Sequence, residues 1–210
     1  MVICVCKCNM VTEMDYEKRI LEYLKISNGI ITARYCRENQ IPTIYLTRLV
    51  RNGLLKKVFP GIYLTENGDY DELYFFQCRY PKTIYSYETA ANLLGVSDKL
   101  VHQIDVTVNW NYRFNNLPSN VKVHYVKREW LNMGAFQSKT MFGNPVNVYS
   151  YERILCDLIK NREKTDSETY VKLIRGYSSY EKRDLENLYK IASIMGIRQK
   201  ISDILELAYE

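Results

Sequence analysis

Histidine is scarce in this chain: His102 and His124 are the only two in 210 residues. Acid–base enzymes and many metalloenzymes lean on histidine, and no other catalytic signature fills the gap. There is no G-x-S-x-G elbow, no P-loop, no H-E-x-x-H helix and no G-x-G-x-x-G turn. Both histidines lie beside or within expected strands. They read as satisfied strand residues, with a shared metal or proton-transfer role as the alternative. No cofactor is expected. Long apolar runs are missing as well. VICVCKC, near the start, is too short to span a bilayer and lacks a basic flank and a cleavage site. No membrane or export segment is therefore expected, and the chain is read as cytoplasmic. Internal repeats and low-complexity tracts are absent.

Cysteine is present, but not in a metal-binding pattern. Three of the six sit together as Cys4, Cys6 and Cys8, and no second cluster completes a four-ligand zinc site. Cys36, Cys78 and Cys156 fall in apolar patterns and read as small core residues of a reduced protein. Residues 1–13 fit poorly with the rest of the chain. They are read as a disordered or over-called start, with a short added strand as the alternative. A net charge of +5 is modest. Basic character is thus local, which favours a specific DNA binder over a coat protein.

The richest stretch runs from Thr32 to Leu64. Thr32 can cap a helix to about Gln40. Pro42 breaks the pattern, Thr43 caps a second helix to Asn52, and Gly53 supplies a left-handed stop. Lys56 and Lys57 then precede two β-prone runs around the turn Pro60-Gly61. Helix, turn, helix, hairpin is the order of a winged helix-turn-helix. In the second helix Leu46, Leu49 and Val50 form the expected buried stripe. Arg48 lies opposite, beside Ile44 and Arg51, with Thr47 and Tyr45 flanking. Arginine reads guanine bidentately, and an apolar group meets a thymine methyl. The expected DNA-binding residues are Thr43, Ile44, Tyr45, Thr47, Arg48 and Arg51, with Lys56 and Lys57 on phosphate. A plain helical hairpin with solvated arginines is the alternative.

A helix capped by Asp15 should precede this module and pack across it. The expected domains are 14–65 for DNA binding, 66–81 as a short structured linker, and 82–210 as a second, mixed domain. The latter opens with a helix capped by Ser86 and stopped at Gly95. Two alternating runs come next, Asp105–Trp110 and Val121–Val126, then a strand pair near Lys139–Phe142 and Val146–Tyr149. Helices starting at Ser150, Asp166 and a Ser178/Glu181 capping box end the chain. The expected class is α+β: an N-terminal winged helix-turn-helix, then a domain with a small β-sheet and C-terminal helices. A nuclease is the enzyme alternative. It needs an aspartate on one strand and E-x-K on the next to hold Mg2+. Asp105 and Lys122 are placed for this, yet position 120 is Asn120.

LTRLVRNGLLKKVFPGIYL, SYETAANLLGVSD (Ser86–Asp98) and YERILCDLI (Tyr151–Ile159), taken together in order and spacing, resemble the AbiEi antitoxins of bacterial abortive-infection systems. The resemblance runs from about Met14 to the C-terminus. It implies a bipartite type IV antitoxin for phage defence, whose N-terminal domain represses its own operon at inverted repeats in double-stranded DNA. Two copies of a monomeric protein would occupy those repeats. It further implies that the C-terminal domain counters an AbiEii-like nucleotidyltransferase toxin without a stable complex. The basic residues Lys172, Arg175, Lys182 and Arg183 are the expected antitoxicity surface. Solvated helix faces are the plainer reading of those charges. A stand-alone repressor with a ligand-binding C-terminal domain is the competing non-enzyme reading.

Overall fold

The computed structural model describes residues 13–99 and 102–209. The expectation for residues 1–13, and with it Cys4, Cys6 and Cys8, falls almost wholly outside them. The described residues form a mixed α+β fold with ten α-helices and two sheets, one of three strands and one of five. Contacts divide the chain into two compact units, meeting between Arg79 and Tyr80. None of the described helices is long and apolar enough to cross a membrane.

The first unit begins with α1 (Glu13–Ile26), then β1 (Ile30–Thr32), α2 (Ala33–Glu38) and α3 (Ile44–Arg51). Asp15 lies inside α1 rather than capping it. The Thr32 hydroxyl caps α2, accepting from the Tyr35 amide at 3.0 Å. This helix stops earlier than the periodicity suggests, because Gln40 turns left-handed at φ 56°. Thr43 makes no side-chain cap bond. Its own backbone is already helical, so the chain enters α3 through the turn at Pro42. Gly53 ends the segment at φ 74°, a conformation that costs glycine little.

The hairpin is β2 (Lys56–Phe59) and β3 (Ile62–Leu64). β1 adds to it, giving an antiparallel sheet in the order β1-β3-β2. Alternation divides that sheet between two cores. Ile31 faces the helices, where Ile20, Leu24, Cys36, Leu46 and Leu49 are buried. Ile30, Ile62 and Leu64 face the other way and bury Phe75. Phe75 belongs to α4 (Glu72–Arg79), which the Asp71 carboxylate caps by accepting from the Tyr74 amide. Much of the expected linker is thus packed into the first unit, since its aromatic side chains complete the second core.

The second unit holds β4 (Ile84–Tyr85), α5 (Tyr87–Leu93), β5 (Ile104–Asn109), β6 (Val121–Val126), α6 (Arg128–Leu131), β7 (Ala135–Lys139) and β8 (Pro145–Tyr149). The helices α7 (Tyr151–Lys160), α8 (Ser167–Ser178), α9 (Leu185–Ile194) and α10 (Arg198–Tyr209) complete it. Strand order is β6-β5-β4-β8-β7. β5 runs parallel to β6, with Asp105 opposite Lys122 and Thr107 opposite His124. β4 is parallel to β8 and antiparallel to β5. The strand expected near 139–142 lies at Ala135–Lys139 instead, and 140–144 is the turn. The helix expected from Ser178 starts at Leu185, because Asp184 rather than Ser178 accepts from the first turn. Nine of the ten residues of α7 are buried, among them the ion pair Arg153–Asp157 at 3.0 Å. Arg153 also donates to the carbonyls of Trp130 and Met133. Cys36 is buried in the first unit and Cys156 in the second, and burial pushes their thiols up to about 11 and about 12. Both stay protonated and behave as apolar packing groups.

Candidate nucleic-acid interface and a cleft in the second unit

α3 presents one exposed stripe. Ile44, Thr47 and Arg51 are exposed with i, i+3, i+7 spacing, and Arg48 is half-buried between them. Ile44 stands 54% exposed on this face. Thr43 is exposed at the entry to the helix. Tyr45 does not join this face. It is 5% exposed, and its ring packs on Tyr16 at 5.3 Å between centroids. Its expected role as a DNA contact is therefore corrected to that of a core residue. It supports the face from beneath, since the Arg48 guanidinium lies 5.1 Å from its ring centroid.

Lys56 and Lys57 open β2 and are both exposed. A bulge between Lys57 and Phe59 shifts the register there. The hairpin tip is anchored, because the Ala33 amide donates to the Gly61 carbonyl at 2.7 Å. Among the other basic residues of this stretch, Arg34 is engaged by Glu38 at 2.7 Å, while Arg37 is exposed.

Lys172, Arg175, Lys182 and Arg183 are all exposed. Lys172 is paired with Asp98, and Arg183 donates to the Ser178 carbonyl. Lys172 and Arg175 lie on α8, but Lys182 and Arg183 lie in the turn before α9, so the four do not form one helix face.

A feature missed at sequence level lies in the second unit. A cleft of about 460 Å³ opens over β5 and β6, beneath α5, α7 and the start of α8. Asp105 and Thr107 project into it from the apolar run of β5. The His124 imidazole, from β6, meets Asp105 Oδ1 at 2.7 Å. Tyr87 stacks on His124 at 4.0 Å between centroids and accepts a hydrogen bond from Asn161 at 2.9 Å. Burial raises the Tyr87 phenol above its ordinary value, so it stays protonated. Tyr87 opens α5 at φ 46°, in the left-handed region that a bulky residue enters at a cost of about 1–3 kcal/mol. The stack and the Asn161 bond offset that cost. A polar–apolar alternation inside a strand buried on both faces was the available signal. Asp105 and Lys122 are neighbours as the nuclease alternative required. However, Asn120 supplies no second carboxylate, and Asp105 is engaged by His124. Among the described residues, no three His, Cys, Asp or Glu side chains converge as metal ligands do.

No family model and no curated protein matches the chain. A similar fold occurs in the crystal structure of the RV2827C protein from Mycobacterium tuberculosis. The match has a TM-score of 0.59 at 16% identity, over 93% of this chain and 78% of that one.

Proposed function

We propose that the first unit is a winged helix-turn-helix that reads double-stranded DNA, and that the chain represses its own operon through it. The carrying observation is the exposed stripe of α3, with Ile44, Thr47, Arg48 and Arg51 outward and two exposed lysines at the start of an anchored hairpin. Such a surface combines guanine-reading and methyl-reading groups with phosphate contacts. The test is titration of the purified protein on the DNA upstream of its own gene. Saturable binding at an inverted repeat, surviving an excess of unrelated DNA, is expected. Equal affinity for all sequences overturns the reading.

For the second unit, the proposal is the antitoxin half of a type IV system, acting against a nucleotidyltransferase toxin encoded alongside. It is supported by the resemblance in Ser86–Asp98 and Tyr151–Ile159 and by exposed basic residues at Arg175 and Lys182. Co-expression with the adjacent gene, scored as rescue of growth, tests it. A ligand-responsive repressor is the second reading, and the cleft over β5 and β6 favours it.

A further inference from the structure

A DNA-binding module can read bases from the major groove with a helix, and from the minor groove with an arm or a hairpin. Minor-groove readers bring arginine, lysine, asparagine or glutamine to the base edges, or push an apolar wedge between them. The hairpin of the first unit has little to bring. From Val58 to Ile62 no side chain can form a hydrogen bond. Val58 and Phe59 pack against the core around Phe75, with the two phenyl rings 6.1 Å apart between centroids, and Ile62 is buried there. Tyr63 packs on the helical core instead. Phe59 is paired with Ile62, so Pro60 and Gly61 alone make the turn. Pro60 has no amide hydrogen, and the Gly61 carbonyl already accepts from the Ala33 amide. Of residues 58–63, only Pro60 is exposed.

The positive charge lies at the other end of the hairpin. Lys56 and Lys57 follow the turn out of α3 and stand exposed, as Arg51 does. That turn is tight, because the Leu54 and Leu55 amides both donate to the Leu49 carbonyl. The lysines are thus held near the C-terminal end of α3. Cations beside a recognition helix meet the phosphates that border its groove, and these carry no sequence information. α3 has eight residues. At about 1.5 Å each they span about 12 Å, or roughly four base pairs at about 3.4 Å.

We infer that each copy reads one block of about four base pairs, from the major groove alone. The hairpin is a strut whose lysines touch phosphate and whose tip reads nothing. This rests on the reading of the first unit as a DNA-binding module, and it narrows the ligand to operators whose information lies on major-groove edges.

Base analogues separate the two grooves in the complex of the full-length protein with its operator. Inosine is guanine without the 2-amino group, so I·C in place of G·C alters only the minor groove. In place of A·T it keeps the minor-groove pattern and alters the major groove. 7-Deazaguanine loses only the N7 acceptor of the major groove. Each position of a half-site is substituted in turn, and the wild-type protein is titrated by fluorescence anisotropy. I·C for G·C should leave affinity within about two-fold at every position. 7-Deazaguanine for guanine, or I·C for A·T, should weaken binding about ten-fold at positions confined to one contiguous block. The folded Pro60→Ala protein should bind as wild type does, which excludes a wedge. Loss on replacing G·C with I·C, insensitivity to both major-groove substitutions, a second sensitive block, or weaker binding by Pro60→Ala would each overturn the inference while DNA binding itself stands. Failure to bind the operator at all would remove both.

Discussion

The Arg48 guanidinium rests 5.1 Å from the centroid of the Tyr45 ring, so one buried aromatic side chain supports an arginine of the exposed α3 face. A cation held over a ring is already restricted, so if α3 reads DNA as proposed, Arg48 loses less entropy on bonding to a base. Arg48→Ala should cost about 1–3 kcal/mol in operator binding and relax preference at one base position. Tyr45→Leu should weaken binding less. The two effects should be non-additive in a double-mutant cycle measured by fluorescence anisotropy. Additive losses would mean that Tyr45 merely fills the core.

Lys56 and Lys57 should act without regard to sequence. Replacing both with alanine should weaken binding to operator and non-operator DNA alike. The slope of log K against log salt should fall by about 0.9 for each lysine that meets a phosphate. A salt titration of both proteins checks this, and an unchanged slope would remove the hairpin from the interface.

At the N-terminus of α8, the Asp166 carboxylate is held down to about 2, first by the Thr169 amide and then by its hydroxyl. A folded value below the ordinary 3.8 means that the ionised form is favoured by folding. This contribution is complete above pH 4 and is lost as pH falls towards 2. Asp166→Asn keeps a capping oxygen but cannot ionise. The variant should therefore lose less stability than wild type between pH 4 and pH 2, read from thermal melts across that range.

Breaking the Arg153–Asp157 pair should be severe. Asp157→Ala leaves a guanidinium buried without its counter-charge, at a cost of about 3–5 kcal/mol. Replacing both residues with apolar ones should restore only part of this. The Trp130 and Met133 carbonyls would then lose the donors that Arg153 provides. Urea denaturation of the single and double variants separates the two contributions.

If the chain is a bipartite antitoxin, its two activities should come apart. The Arg48→Ala/Arg51→Ala protein should lose repression but still rescue growth when expressed from a foreign promoter. Charge reversal at Arg175 and Lys182 should weaken rescue while sparing operator binding. Growth assays at matched protein levels decide the matter. Rescue by residues 1–80 alone would place the protective activity in the first unit.

Local chemistry made much of the first unit legible in the sequence. Thr32, Pro42 and Gly53 act on residues a few positions away, so their effects can be read without the fold. A stripe of Leu46, Leu49 and Val50 sets the buried face about 50° away from where it lies, at a helical step of about 100° per residue, and so leaves Tyr45 on the exposed side. The buried residues are Tyr45, Leu46 and Leu49, and a tyrosine's hydroxyl disguised an apolar ring. β7 was displaced because it is an edge strand with Phe136 exposed, so its alternation carries little signal. The cleft was invisible for a different reason. Its groups lie on α5, β5, β6 and α7, and only the parallel pairing of β5 with β6 sets Thr107 beside His124.

The bond from the Ala33 amide to the Gly61 carbonyl gives the first unit a built-in reporter. An amide in the first turn of a helix has no partner within that helix, so Ala33 is protected from solvent exchange only while the hairpin tip stays docked. The lifetime of that single proton therefore times the opening of the hairpin, in the free protein and again with DNA bound.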